Sequence, residues 1–527
     1  MKPFIVPKDA PTQKSPKHWQ FCVGSGHAAL ALRTDYCQQL AWIQKELGFR
    51  RVRFHGIFND DMHTMDTMDT TPIAADKRFA EHSFRYCALA YDNLLACGVK
   101  PLVELSFMPR ALAKTEKTGF FYYKPVISQP RSDGEWAAYI QRFVRFLLNR
   151  YGKQEVEGWL FEVWNEPDLA VGFFEGTQQD YFRLYEVTAR AIKEVDPALR
   201  VGGPSTSGSK WIKAFVEYCR GRDVPVDFVT THQYAGDPLG GVQDQGGPDE
   251  DGGAHVEIHF DPASLLADLP DGPMLPAYRR IVTDNTETET TDRDIFAKHA
   301  AVVKAQAQGL PVYYTEWNAC ATFTAPGNDT RKVAAYDVRA ALMTENVVDG
   351  SSIWCFSDIF EELHPFPEEF HGGFGLLTQH GIPKPVFSAL TMLADAGEDR
   401  VALPGAMDGE ISLAAFRKEG ATQLLLTRQE LHHFANADAA PLSVQVAVEL
   451  PVAPREVTVR RVDADHGNPL AIWQAMGEPT DLTPAQVEDI RRRSEVKPEA
   501  LPAVYRDGQL LVDAALGTND VWFVEIR

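Results

Sequence analysis

No uninterrupted apolar run of about 18 residues occurs in this chain of 527 residues, so no transmembrane helix is expected. Basic charge is scarce: 52 Lys+Arg against 73 Asp+Glu leave a net −21. Such a chain repels phosphate backbones, which argues against nucleic acid as a partner. The acid excess reads as a solvated surface. Cysteines number seven (Cys22, Cys37, Cys87, Cys97, Cys219, Cys320 and Cys355), and no two are spaced C-x-x-C. Most lie within apolar elements, so buried reduced thiols and a cytoplasmic enzyme are expected. Met1 to Asp9 shows no apolar core behind its basic residue, unlike a secretory signal, although a processed chain would look the same. With 44% apolar and 24% charged residues, wholesale disorder, collagen and coiled coil do not fit.

What is present is a rhythm. Short β-branched or aromatic runs alternate with longer runs of helical period through about residue 390. The strand candidates start at Phe21, Arg51, Pro101, Trp159, Leu199, Asp227, Val312 and Ser352. Helices are expected over Asp35–Leu47, Phe84–Ala96, Glu135–Tyr151, Tyr181–Val195, Trp211–Arg220, Ile295–Gln308, Val333–Asn346 and Pro385–Ala394. Eight strand–helix units argue for a (β/α)8 TIM barrel. The rival, a doubly wound open sheet, lacks its G-x-G-x-x-G after the first strand.

Near residue 400 the texture changes to alternating strands, such as Leu442 to Val448 and Val521 to Val524. This reads as a C-terminal antiparallel β-sandwich. Thr483 before Pro484 marks a short helix, Pro484 to Ser494, inside it. The expected division is an N-terminal arm packing on the sandwich (1–18), a catalytic barrel (19–397) and the sandwich (398–527), with a helical insertion about 470–500.

Barrel chemistry gathers at the C-terminal ends of strands. Strand two ends in His55, and strand four in Trp164-Asn165-Glu166-Pro167. Strand six ends in His232-Gln233-Tyr234, and strand seven in Glu316-Trp317-Asn318. Strand eight ends in Trp354, with Glu361 and Glu362 beyond it. A lone Glu at a strand end is usually only solvated. Asn-Glu-Pro is more specific, because Pro167 restricts Glu166 and breaks the strand there. Two glutamates facing one cavity suit glycoside hydrolysis. One acid protonates the leaving oxygen and the other carboxylate attacks the anomeric carbon. Once the glycosyl ester forms, one negative charge is gone, and the acid can turn base toward water. Asn165 can offer its amide to a sugar hydroxyl.

With these residues the sequence resembles glycoside hydrolase family 39, and its β-xylosidase branch in particular. The resemblance is carried by Arg53-Phe54-His55-Gly56, Phe107-Met108-Pro109, Phe161-Glu162-Val163-Trp164-Asn165-Glu166-Pro167 and Val201-Gly202-Gly203-Pro204. It continues through Thr315-Glu316-Trp317-Asn318, Phe356-Ser357-Asp358-Ile359-Phe360-Glu361-Glu362, His371-Gly372-Gly373-Phe374-Gly375-Leu376, Ile382-Pro383-Lys384-Pro385 and His466-Gly467-Asn468-Pro469. It implies Glu166 as general acid/base and Glu316 as nucleophile. It further implies sugar contacts from His55, Phe121, Asn165, His232, Tyr234, Trp354, Glu361 and Glu362. Trp354 and Phe121 suit either stacking on sugar or core packing. His232 and Tyr234, two apart, share one side of a strand. One departure stands out: the pattern often places a Tyr soon after the nucleophile, and here the stretch is Asn318-Ala319-Cys320-Ala321.

The run from Gly236 to Arg293 follows strand six and is expected to cover the site mouth as a solvated lid. Asp249, Asp251, His255 and His259 within it do not match a calcium loop or a helical His pair, so no metal is expected. The expected function is a retaining exo-β-1,4-xylosidase acting on xylooligosaccharides without a cofactor. Rivals are an α-L-arabinofuranosidase or α-L-iduronidase activity on the same machinery, and a non-catalytic carbohydrate-binding barrel. Nothing in the sequence determines oligomeric state.

Overall fold

Eight parallel strands close into a barrel in chain order: Cys22–His27, Arg51–His55, Lys100–Glu104, Leu160–Glu162, Arg200–Thr206, Phe228–Gly236, Val312–Cys320 and Gly350–Ile353. The computed structural model describes residues 4–65, 82–119, 121–170, 172–236, 292–362, 366–431 and 440–527. Most of the run from Gly236 to Arg293, with the lid and its Asp249, Asp251, His255 and His259, lies outside the described residues.

Helix ends follow local chemistry. Gly48 takes φ 74 and closes Thr34–Leu47, as a left-handed cap that glycine adopts without a Cβ penalty. Ser132 caps Asp133–Tyr151 through the Glu135 amide. Thr177 and Asp180 form a reciprocal capping box at the start of Gln178–Val195. Helix Asp133–Tyr151 buries one apolar stripe on the barrel, with Trp136, Ile140, Phe143 and Leu147.

The barrel has an apolar floor and a polar top. Phe21, Cys22, Leu102, Leu160, Phe228 and Tyr313 come from strand beginnings and form a small buried cluster. The Phe21 and Tyr313 rings stack there at 4.4 Å. Further along the barrel strands stand Arg53, Glu104, Glu162 and Glu316, all buried.

Beyond the barrel lie two sheets. One has seven strands, in the order Glu499–Ala500, Val457–Val462, Val521–Ile526, Ala421–Arg428, Ile411–Lys418, Asp399–Val401 and Thr12–Lys14. The other has four: Phe4–Val6, Leu442–Glu449, Gln509–Leu516 and Val504–Arg506. The first residues thus add one strand to each sheet, and Phe4–Val6 pairs parallel with Leu442–Glu449, departing from the antiparallel pattern. Leu424 and Leu426 face the core between the sheets. Leu425 joins the large barrel core. Burial on both faces explains why Leu424-Leu425-Leu426 is continuous rather than alternating. Helices Pro469–Ala475 and Pro484–Ser494 pack Trp473, Val487 and Ile490 against Phe370 and Ile382 of the loop after strand eight. No helix among the described residues is long and apolar enough to cross a membrane.

Candidate active site

Strand two places Arg53 and His55 on one side, two residues apart. Arg53 is wholly buried, and its guanidinium organises the top of the barrel. It donates from Nε to Glu162, from Nη1 to Glu316 Oε1 at 2.6 Å and from Nη2 to Asn165 Oδ1 at 2.7 Å. Glu104 Oε2 lies 2.8 Å from Nη2. A lone buried guanidinium would be prohibitive, and three carboxylates make it tenable. Arg53 is accordingly held above its ordinary range: burial opposes its charge, and Glu104, Glu162 and Glu316 outweigh that.

Glu316 is fixed at both oxygens. Arg53 holds Oε1, and the Tyr234 hydroxyl donates to Oε2 at 2.9 Å. Burial pushes this carboxyl up, but positive charge around it (His232 when protonated, Arg53 and His55) and the Tyr234 hydrogen bond keep it below the ordinary value. Tyr234 therefore supplies a tyrosine contact to the strand-seven carboxylate, although no tyrosine stands soon after Glu316.

Glu166 sits in the loop beyond strand four. Its amide donates to Ser205 O at 2.8 Å, and its backbone takes φ 43. Proline at 167 favours extended backbone at the residue before it, yet Glu166 is left-handed, as is Trp164 at φ 72. Strain of this kind costs on the order of 1–3 kcal/mol per residue and gathers at functional sites. His232 Nδ1 lies 2.9 Å from Glu166 Oε1, and Nε2 lies 3.3 Å from Ser205 Oγ. Since Ser205 accepts from Arg53, its hydroxyl proton is available to His232 Nε2. His232 then donates from Nδ1 to Glu166 as a neutral imidazole. Burial, which pushes its pKa down, agrees. One carboxylate oxygen each of Glu166 and Glu316, with a ring nitrogen of His232, lie within 4.8 Å of one another.

The remaining expected contacts surround this pair. The His55 ring stands 4.8 Å from Trp354 and 6.2 Å from Phe121, centroid to centroid. His55 Nδ1 lies 2.8 Å from Glu104, and Nε2 lies 3.6 Å from both Glu316 and Glu362. Burial disfavours its charge, but Glu104, Glu316 and Glu362 together push His55 up to about 9. Glu362 is pushed up to about 8, chiefly by burial, with His55 partly opposing and Glu316 adding to it. Its Oε1 is buried without a hydrogen-bond partner, as is Asn165 Nδ2. Glu361 is placed differently. It pairs with Arg33 at the rim, with 28% of its side chain exposed.

Sequence reasoning left several site residues unread. Arg53 stands in the family-like stretch Arg53-Phe54-His55-Gly56, on the same strand face as His55, but the sequence assigns it no role. Glu104 and Glu162 end strands three and four and were not singled out as partners. His27, at the end of strand one, stacks at 4.1 Å on Tyr123, which lies 5.4 Å from Phe121.

Glu166, His232 and Glu316 also form a donor set of the kind that can hold a cation. The Arg53 guanidinium 2.6 Å from Glu316 opposes a second positive charge there. Glu316 Oε1 and Oε2 and Glu166 Oε1 already accept hydrogen bonds within the chain. The donor set therefore fits a carboxylate pair better than a metal centre.

The sequence matches the profile of glycosyl hydrolases family 39 across residues 4–243 and 279–511. A beta-xylosidase of Caldicellulosiruptor saccharolyticus is 35% identical over 517 residues, 97% of this chain and 95% of the relative. A beta-xylosidase of Geobacillus stearothermophilus is 33% identical over 537 residues, 100% of this chain and 96% of the relative. Among solved structures, a monomeric beta-xylosidase from Caulobacter crescentus CB15 superposes with a TM-score of 0.80 at 30% identity, covering 100% of this chain and 99% of that one.

Proposed function

This chain belongs to family 39 of the glycosyl hydrolases, and from that membership we propose that it is a retaining exo-β-1,4-xylosidase, releasing β-D-xylose from the non-reducing ends of xylooligosaccharides. The observation that carries the reading is the approach of one carboxylate oxygen of Glu166 and one of Glu316 to within 4.8 Å. Retaining enzymes hold their two carboxyl groups about 5–5.5 Å apart, whereas inverting ones leave roughly 6.5–9.5 Å for a water. The short span supports direct attack on the sugar.

Glu316 is the nucleophile in this account. The charges around it keep it ionised, and the bonds from Arg53 and Tyr234 fix its orientation. Its Oε2 attacks the anomeric carbon as Glu166 gives its proton to the departing glycosidic oxygen. That forms a glycosyl ester and neutralises the Glu316 charge. Glu166 then takes a proton from water, and water oxygen attacks the anomeric carbon from the side the leaving group vacated. The ester breaks, xylose leaves with its configuration retained, and Glu166 is again protonated. His232 Nδ1–H steadies Glu166 whenever it is anionic. Asn165 Nδ2 and Glu362 Oε1, buried and unpartnered, are suited to sugar hydroxyls. Trp354 and Phe121 offer apolar faces.

Catalysis is assigned to the barrel, 19–397, and bracing to the arm, 1–18, with the sandwich, 398–527. The seven cysteines are free and five are buried, which suits a reducing compartment such as the cytoplasm. Neither a metal nor another cofactor enters the reaction as proposed. A panel of aryl β-xylosides, arabinosides and glucosides tests the substrate class. Highest kcat/KM on the β-xyloside is expected, and preference for the arabinoside would move the assignment to that activity.

A further inference from the structure

Three sequence stretches have no role in the chemistry above: Ser357-Asp358, His371-Gly372-Gly373-Phe374-Gly375 and Ile382-Pro383-Lys384-Pro385. The fold joins them at one buried ammonium. Lys384 has no solvent exposure. Its Nζ lies 2.6 Å from Asp329 Oδ1 and 2.6 Å from Asp358 Oδ2, and donates to Gly373 O at 2.8 Å. Three partners match the three protons of an ammonium.

Each carboxylate uses its other oxygen on the same loop. Asp329 Oδ2 accepts the Gly372 amide at 2.6 Å, and Asp358 Oδ1 accepts the Gly375 amide at 2.7 Å. The glycines follow from this crowding. A Cβ on Gly373 would lie 2.2 Å from Asp358 Oδ1, and one on Gly375 would lie 2.4 Å from the Asp358 amide nitrogen. Gly372 also takes φ 78. Burial lowers the affinity of Lys384 for its proton, but Asp329 and Asp358 more than reverse that, so it stays charged.

The position of this cluster carries the argument. Asp329 lies in the loop after strand seven, Asp358 in the loop after strand eight, and Lys384 just before helix Pro385–Asp395. Along the chain, Asp358 falls between Trp354 and the Glu361-Glu362 pair, within one loop. Phe360, two residues on, meets the Trp354 ring edge to face at 5.7 Å. The Glu166–Glu316 pair, by contrast, is held by Arg53, Tyr234 and His232.

We propose that Lys384 is a positioning residue for substrate recognition: clamped between Asp329 and Asp358, it sets where Trp354 and Glu362 meet the sugar, while the carboxylate pair takes its direct hydrogen bonds from Arg53, Tyr234 and His232. The inference rests on the glycosidase reading and assigns the origin of its sugar affinity.

The test compares wild type, Lys384→Met and Asp358→Asn on an aryl β-xyloside, with a 2-deoxy-2-fluoro-xyloside as active-site titrant. Asp358→Asn leaves Lys384 its contacts to Asp329 and Gly373, so it carries the test should Lys384→Met not fold. KM is expected to rise about 10- to 100-fold, with kcat per titrated site falling less than about 5-fold. A lowered melting temperature with unchanged KM in the folded variants would show a purely structural clamp and overturn the proposal. A kcat loss with constant KM would overturn it too. If wild type cleaves no xyloside, the substrate reading falls instead. The same KM comparison is then made on whichever aryl glycoside wild type does cleave.

Discussion

The top of the barrel and the interior of the sandwich are both buried, yet they are built from opposite materials. Between the sheets the core is Val6, Leu424, Leu426, Val446, Val448, Leu510, Val512 and similar residues, with a buried charge, Arg428, at its end donating to Leu516 O. At the barrel top, Arg53, Glu104, Glu162, His55 and Glu316 are as deeply enclosed and almost wholly ionisable. Apolar burial stabilises at roughly 25 cal/mol per Å2, whereas burying charge costs free energy unless partners offset it. The sandwich is therefore explained by stability alone. The barrel top is not, and its paired charges and left-handed Glu166 mark where structure has been given over to chemistry.

Substitutions can break this contrast. Glu316→Ala should lose at least about 10^4-fold in kcat, since no ester can form. Azide should partly restore turnover of an aryl xyloside with inverted product, read by product stereochemistry. Glu166→Ala should cost about 10^2- to 10^4-fold on substrates with poor leaving groups and far less on activated ones. Azide rescue there should give a retained product. Exchange of those two stereochemical outcomes would exchange the two roles.

Arg53→Met should destabilise by about 3–5 kcal/mol by leaving buried carboxylates unpaired, and activity should fall with it. Leu424→Ala in the sandwich should cost a similar amount, about 2–5 kcal/mol, through a cavity. Its KM and kcat at permissive temperature should stay near wild type. Chemical denaturation paired with kinetics separates the two. Equal kinetic damage from both would dissolve the distinction between the regions.

The smallest effect concerns pH. His55 is raised in the folded chain from 6.5 to about 9. Its contribution to stability is thus whole below about pH 6.5 and is lost as pH rises toward 9. Melting temperature should decline across that window, and the decline should be shallower in His55→Gln. An unchanged slope would show that Glu104 does not hold the ring charged.

Much of this division was legible in residue pattern. The second barrel strand runs over Arg51–His55 and the late helix over Pro484–Ser494, as read. In the latter, Thr483 and Pro484 leave little choice of start. Strand eight, expected to start at Ser352 and end in Trp354, instead runs Gly350–Ile353. Trp354, Cys355 and Phe356 are apolar because they pack in the site wall and core, not because the ladder continues. The arm strands Phe4–Val6 and Thr12–Lys14 are three residues each, too short to show a period. The role of Arg53 is hidden for a different reason. A lone arginine looks like surface until three carboxylates from other strands are seen around it. Long-range pairing of that kind leaves no local spacing to read.

The central claim is that Glu166 and Glu316 act on one sugar by double displacement. Proton NMR of the first turnovers of an aryl β-xyloside tests it most directly. The account predicts β-xylose first, with the α-anomer appearing only by mutarotation. If α-xylose appears first, a water lies between sugar and carboxylate, and the assignment of Glu316 as nucleophile is wrong.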